Sequence, residues 1–345
     1  MRDTTTRQQY PVGSGFTPSS TADDVLAGID LTGHNVIITG GHSGLGLVAT
    51  RALARVGASV TVGSRDIDRA AEAVAGIEHV EVGRLDLLDP GSIADFAACF
   101  LDTGRPLHIL INNAGFPGSA EIVRDARGYE AQFAVNHLGH FQLTLALYPA
   151  LRAARGARVV TTTSGAQRAS DILWDDPNFT TGAHDFGLSY AQSKTANVLF
   201  SVELDRRWAA DGIRGYAPHP GIVPATSFNR SVGEDAQRAM LLIDAAGRPI
   251  IEPDRGKKTP EQGAATIVFA ATSPLLDGIG GVYLNNSDIS PVDPDLRPID
   301  LTDPGVDVPV DVAPHAIDPG SARRLWAMSE RMIGREAPGG PGEDR

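Results

Sequence analysis

The sequence predicts an α/β protein built on one doubly wound parallel sheet of about seven strands with helices on both faces, and three observations carry that prediction. From Asn35 onward, short β-branched runs alternate with longer stretches of helical apolar spacing, the pattern of a parallel sheet covered on both sides. The first run leads at once into a glycine-rich turn that opens a helix, and later runs end in Asp, Asn or Ser, short polar residues suited to the carboxyl edge of such a sheet. The composition is that of a folded chain: 42% hydrophobic and 21% charged over 345 residues, far from the apolar-poor balance of disorder.

Taken in order, residues 1–30 form an arm of Thr, Gln, Ser and Pro that precedes the alternation, residues 31–290 carry it as one domain, and residues 291–345 extend beyond it. Strands are expected at Val36 to Thr39, Ser59 to Val62, Val80 to Gly83, Leu107 to Ile111, Arg158 to Thr162, Gly215 to Ala217 and Gly281 to Leu284. Helices are expected near Leu45 to Val56, Ile67 to Ala75, Ser92 to Leu101, Arg127 to Leu151, Ser189 to Asp211 and Pro260 to Ala271. A Trp/Asp/Phe-containing stretch, Ala166 to Gly187, stands outside the pattern. In the tail, Asp318 reads as a helix cap and Pro319 as the first helical residue. Ala322, Leu325, Trp326, Ser329 and Ile333 then fall on one face, and that stripe predicts a docked helix.

Thirty Lys and Arg against 42 Asp and Glu leave a formal charge of −12, a field that repels polyanions and argues against a nucleic-acid partner. The single cysteine, Cys99, lies in the apolar run Ile93 to Leu101 and reads as a core thiol, and nothing calls for an oxidising compartment. No stretch approaches the ~20 apolar residues of a membrane span, and residues 1–30 lack a signal peptide's apolar core. A cytoplasmic protein acting on a small molecule is therefore expected, with a homo-oligomer possible.

After the first strand comes Thr39-Gly40-Gly41-His42-Ser43-Gly44-Leu45-Gly46. Glycines there let the backbone turn tightly and approach a pyrophosphate, while the helix's first N–H groups and dipole favour an anion. A bare glycine-rich strand–helix turn would use the same residues. About twenty residues on, where a carboxylate would bind the ribose hydroxyls of NAD, the chain reads Ser64-Arg65. Arg65 offers a guanidinium for a 2′-phosphate instead, which favours NADP(H) over NAD(H). Asp86-Leu87 and Asn112-Asn113-Ala114-Gly115 follow the third and fourth strands, where ligands bind in such sheets; ordinary turn chemistry would also place Asp and Asn there.

The sharpest signal is Tyr190-Ala191-Gln192-Ser193-Lys194. On a helix the i, i+4 spacing puts the phenol and the ammonium on one face, where the positive charge would lower the tyrosine's pKa and make it a general acid. The chain has three lysines, so an accidental pairing is disfavoured. Ser164 ends the fifth strand, Asn136 lies on the helix before it, and His219-Pro220-Gly221 ends the sixth. His137 and His140 stand three apart without recognised zinc spacing, and no metal is expected. Asp175-Asp176 reads as a loop cap.

With these motifs in this order, the chain from about Leu31 to Asn286 resembles the short-chain dehydrogenase/reductase family on its Rossmann-type fold. Val135-Asn136-His137-Leu138-Gly139-His140-Phe141 and Ser193 to Phe200 resemble its retinol-dehydrogenase-like branch. That branch's Asn-Val-Ser-Ser strand end reads Thr161-Thr162-Thr163-Ser164 here, and its threonine four places after Gly221 is Ala225, followed by Thr226.

The resemblance implies a carbonyl-reductase or ketoreductase type of oxidoreductase with Asn136, Ser164, Tyr190 and Lys194 as the catalytic set. Ser164 would hydrogen-bond the carbonyl, Tyr190 would donate the proton, and Lys194 would hold the ribose and tune Tyr190. Asn136 would hold a water linking Lys194 to solvent. Cofactor contacts would come from Gly40, Ser43, Gly44, Leu45, Gly46, Arg65, Asp86, Leu87, Asn113, Ala114, Gly115, Tyr190, Lys194, Pro220, Gly221 and Val223. Trp174 and Phe179 would give the substrate site apolar or aromatic surface, or else pin their loop to the core. An imine reductase or epimerase on the same fold, or a dinucleotide sensor without turnover, is the alternative.

Overall fold

Eight strands form one sheet in the order β3-β2-β1-β4-β5-β6-β7-β8 in the computed structural model, which describes residues 9–119, 121–224, 226, 233–296 and 307–338. The strands are β1 (Asn35–Thr39), β2 (Ser59–Ser64), β3 (Val80–Arg84), β4 (Ile109–Asn112), β5 (Ala157–Thr161), β6 (Ile213–His219), β7 (Val282–Asn285) and β8 (Asp288–Ile289). All neighbours run parallel except β7 and β8, whose antiparallel pairing adds a two-residue strand to the seven expected. The order reverses direction between β1 and β4, and that switch opens a crevice at their carboxyl ends.

Period-2 alternation divides the core. Val36 and Ile38 of β1 face a cluster with α1 (Ala22–Val25), α2 (Gly44–Arg55) and α10 (Pro260–Thr272), whereas Ile37 faces the opposite cluster. That second cluster takes in α4 (Pro90–Asp102), α6 (His140–Ala146) and α7 (Tyr148–Ala153), as well as the indole of Trp326. Between α2 and α4, α3 (Ile67–Val74) carries the chain from β2 to β3, and the short α9 (Glu234–Ala239) lies between β6 and α10.

The helix expected over Arg127 to Leu151 is broken into pieces. It starts as α5 (Ala131–Phe133), capped by the Glu130 carboxylate, widens into a π-helical turn over Ala134–Gly139, and continues as α6 and α7. A Cβ on Gly139 would sit 2.6 Å from the Leu87 carbonyl oxygen, so the widened turn lies hard against the chain after β3. Pro149, which has no N–H, stands in the first turn of α7.

The long helix α8 (Phe186–Trp208) is buried along most of its length because a second layer covers it. That layer is α11 (Pro319–Ile333), capped by Asp318 and ended by Gly334 in the left-handed region. Trp326 packs edge-on to Phe141 and Trp208 and stacks on Phe200, with the Arg207 guanidinium 4.7 Å from its ring. At the other end of the chain, the Gln9 side chain donates to the Tyr283 and Ser290 carbonyls and accepts from the Tyr283 N–H. Asp288 accepts from three successive amides, Val12 to Ser14.

Cys99 corrects the sequence reading: it is exposed. Helix α4 buries Ile93, Phe96, Ala97 and Phe100, and Cys99 falls on the other face. No described helix is long and apolar enough to cross a membrane.

Candidate active site

The crevice between β1 and β4 is lined by two turns that hold each other. Gly40 and Gly44 have φ of +66° and +51°, backbone that a side chain would strain. A Cβ on Gly46 would lie 2.5 Å from the Gly40 carbonyl oxygen and 2.6 Å from the Asn113 amide nitrogen. Asn113 donates that amide to the Thr39 carbonyl, and the backbone N–H groups of Asn113 and Ala114 both donate to Thr39 Oγ1 at 2.9 Å. Gly115 stands exposed beyond them. Ser43 begins α2 without a side-chain cap, so the helix presents its first amides to the crevice. The cradle therefore fits an anionic pyrophosphate.

At the end of β2, Ser64 is buried and spends its hydroxyl on the turn, donating to the Asp66 carbonyl at 2.9 Å. Asp66 caps α3 by accepting from the Arg69 N–H, which occupies that carboxylate. Arg65 is exposed and makes no hydrogen bond or ion pair among the described residues. The neighbouring His42 is held below its ordinary pKa by burial, then by the charge of Arg69, with Arg65 adding to it. Asp86 uses one carboxylate oxygen to accept from the Leu88 N–H, while Leu87 is buried beneath the π-helical turn.

Across the crevice, Ser164 stands beyond the end of β5, where it caps a 3-10 turn by accepting from the Ala166 N–H, and its hydroxyl is hydrogen-bonded to the Tyr190 hydroxyl. Burial pushes the Tyr190 phenol up to about 12, with the Ser164 bond pulling the other way. This reverses the direction expected from the Tyr190/Lys194 spacing: burial dominates, and the opposing pull comes from Ser164 rather than from Lys194. Lys194 lies with its Nζ 5.5 Å from the Tyr190 ring centroid, donates to the Thr162 carbonyl at 3.2 Å, and is pushed down to about 8 by burial. Asn136 has its side chain fully engaged: Oδ1 accepts from the Phe116 N–H, and Nδ2 donates to Ser193 Oγ at 3.0 Å and to the Phe116 carbonyl.

The third wall follows β6. His219 Nδ1 meets the Tyr283 hydroxyl and the Asn285 amide, and burial lowers its pKa to about 3. Gly221 has φ +78°, and a Cβ there would lie 2.9 Å from the Gly256 carbonyl oxygen. A Cβ on Gly263 would collide with both Val223 and Leu45, so this glycine lets the Pro220–Val223 segment meet the turn after β1. Ala225 lies outside the described residues. Thr226 donates its hydroxyl to the Val223 carbonyl, and its methyl stands 3.8 Å from where a Gly44 Cβ would be.

Sequence reasoning missed Thr39, Gly139, Ser193 and Gly263, whose parts depend on neighbours distant in the chain. Trp174 and Phe179 line an open hollow of about 360 Å³ made by their own loop, and none of Ser164, Tyr190 or Lys194 borders it. The Arg324 guanidinium of α11 sits 4.2 Å from the Trp174 ring, so this indole pins the loop to the tail. Asp176 caps a turn, accepting from Thr180 and Thr181, which hold its carboxyl well below the usual range.

Comparison with known proteins agrees with this fold. Residues 34–237 match the short chain dehydrogenase family. The "Probable oxidoreductase" of Streptomyces lividans is 41% identical over 305 residues, 86% of this chain and 97% of that one. Human "Retinol dehydrogenase 14" is 33% identical over 88% of this chain and 87% of its own. The crystal structure of an uncharacterized protein from Mycobacterium paratuberculosis superposes with a TM-score of 0.68 at 31% identity, covering 93% of this chain and 99% of that one.

Proposed function

The chain belongs to the short-chain dehydrogenase family, and on that footing we propose that it is an NADP(H)-dependent oxidoreductase interconverting a ketone or aldehyde with an alcohol. The observation that carries the proposal is the hydroxyl pair Ser164–Tyr190 with Lys194 beside the Tyr190 ring. When bound, the nicotinamide dinucleotide that family membership implies supplies or takes the hydride.

The chain's own residues do the rest. Gly40, Ser43, Gly44, Leu45 and Gly46 would hold the pyrophosphate, Arg65 a 2′-phosphate, and Asp86, Leu87, Asn113, Ala114 and Gly115 the floor of the crevice. Pro220, Gly221 and Val223 would close its far end. Ser164 donates a hydrogen bond to the substrate oxygen, and Tyr190 hands its proton to that oxygen in reduction or accepts one in oxidation. Lys194 would orient the phenol from α8 and hold the ribose, and Asn136 would hold a water leading to solvent.

A substrate with apolar or aromatic character belongs to the same proposal on the composition of the loop joining Ser164 to Tyr190; the hollow that Trp174 and Phe179 line does not border those two residues. Cytoplasmic residence, favoured by the lone cysteine, and homo-oligomerisation belong to the same proposal. The test is a panel of ketones, aldehydes and imines followed by NADPH absorbance, with alcohols and NADP+ in reverse. Consumption with carbonyls supports the reading; consumption with imines alone, or with none, overturns it.

A further inference from the structure

The π-helical turn and the first residue of α6 carry two buried histidines, His137 and His140, that the reaction does not use. Their hydrogen-bond partners fix where each proton resides. Thr39 Oγ1 accepts from the Asn113 and Ala114 N–H groups, which fills both lone pairs. Its own proton must then go to His140 Nε2, 2.8 Å away, so that nitrogen is bare. The other ring nitrogen, Nδ1, stands 3.2 Å from the Asn136 carbonyl oxygen, which only accepts, so Nδ1 carries the hydrogen. Two independent ends of the ring thus give the same tautomer.

His137 comes out the opposite way. Ser329 Oγ on α11 donates to the Leu325 carbonyl, so His137 Nε2, 2.7 Å from that hydroxyl, is the donor. Its Nδ1 is buried with no hydrogen-bond partner.

The widened turn explains why His140 can reach Asn136. In a regular α-helix the Asn136 carbonyl would accept from the His140 backbone N–H. Here that N–H donates to the His137 carbonyl, and the imidazole takes up the Asn136 oxygen from the side. Because the Asn136 side-chain amide is already spent on Phe116 and Ser193, it is the His140 ring that joins the Asn136 carbonyl, through Thr39, to the turns after β1 and β4.

We infer that His140 is a positioning residue that locks the Asn113-Ala114 turn, through Thr39, to the Asn136 carbonyl, and that His137 and His140 hold their protons on opposite ring nitrogens. The chain of bonds runs from the Asn113 and Ala114 amides to Thr39, from Thr39 to His140, and from His140 to Asn136. It occupies one lone pair of the Asn136 carbonyl and leaves the other directed elsewhere. The consequence for turnover rests on the oxidoreductase reading; the proton positions do not.

The test begins with long-range 1H–15N correlation of histidine-labelled full-length protein at neutral pH, signals being assigned with His137→Gln and His140→Gln. The expected result is an Nδ1–H pattern for His140 and an Nε2–H pattern for His137. An Nε2–H or doubly protonated His140 overturns the inference, whatever the enzyme proves to do. With a turned-over substrate in hand, His140→Phe removes both bonds at similar volume. It should lower kcat/KM about tenfold and move the pH profile of kcat. His140→Gln keeps a carbonyl for the Thr39 hydroxyl and should retain the cofactor KM within about twofold while still moving that profile. If both variants lower thermal stability but leave KM and the pH profile at wild-type values, His140 is a packing residue and the positioning role fails.

Discussion

The turn after β1 and the site beyond β5 sit on the same sheet edge, yet they are built by different means. The first is made mostly from near neighbours: Gly40, Gly44 and Gly46 shape it through their own backbones, with Asn113, Ala114 and Thr226 laid against them. The second gathers Asn136 from a π-helical turn, Ser164 from the segment after β5, and Tyr190 and Lys194 from α8, a helix buried between the sheet and α11. Local backbone chemistry is enough for the first, whereas the second needs long-range packing. Substitutions should therefore separate the two regions.

The largest effect is expected in the second region, at its proton donor. Tyr190→Phe should cut kcat by about 10²- to 10⁴-fold while the cofactor dissociation constant stays within about twofold, measured by steady-state kinetics and fluorescence titration. A matching loss of cofactor affinity would erase the boundary between the regions. Next comes the cover itself: Trp326→Ala, far from any reacting atom, should destabilise the fold by about 3–5 kcal/mol in urea melts. It should also lower kcat, because the indole packs on Phe200 and Trp208 of the helix that carries Tyr190. Unchanged stability would show that α8 stands without its second layer.

Beside the first region, at the end of β2, Arg65→Ala should reduce the preference for NADPH over NADH about ten- to a hundred-fold, a charge-assisted bond being worth about 1.5–3 kcal/mol. It should leave Tm unaltered, since Arg65 is exposed. Equal preference before and after would remove the residue from cofactor recognition.

Acid sharpens the contrast further. His137, His140 and His219 are driven down to about 3, 4 and 3, mainly by burial, with Lys194 and Lys258 facing the rings of His219 and Lys194 that of His140. Each is neutral when folded but takes a proton near 6.5 when unfolded. The unfolded chain therefore binds more protons below that value. Stability is full above it and falls as pH drops toward 4, by about 1 kcal/mol per histidine between pH 7 and 5.5. Urea midpoints across that range should show a shallower slope for His219→Gln than for wild type, and equal slopes would count against the assignment.

The smallest effect belongs to Cys99. Cys99→Ser should change stability by less than about 0.5 kcal/mol, and a maleimide should label the native protein readily. Slow labelling would return the thiol to the core.

Much of this was legible before any coordinates. The strand alternation, the Asp318-Pro319 helix start and the stripe through Leu325 and Trp326 are written in residue type and period, and α11 begins and packs accordingly. The Tyr190/Lys194 spacing placed both groups on one helix face, and the structure brings Ser164 to the same phenol. What the period could not report is where a helix widens or which half of an apolar run faces inward. Arg127 to Leu151 reads as one helix until Gly139 meets the Leu87 carbonyl, and Cys99 reads as core until α4 chooses Phe96 and Phe100.

The sequence by itself determined the order of strands and helices, the glycine turn and the kinds of residue at each strand end, because those depend on backbone preferences and spacing within a few residues. Tertiary structure alone decided that Tyr190 is pushed up rather than down, that Trp174 is held by Arg324, and that His137 and His140 point their protons in opposite directions. Desolvation, ring contacts and tautomers are set by atoms that arrive from elsewhere in the chain, and no local pattern carries them.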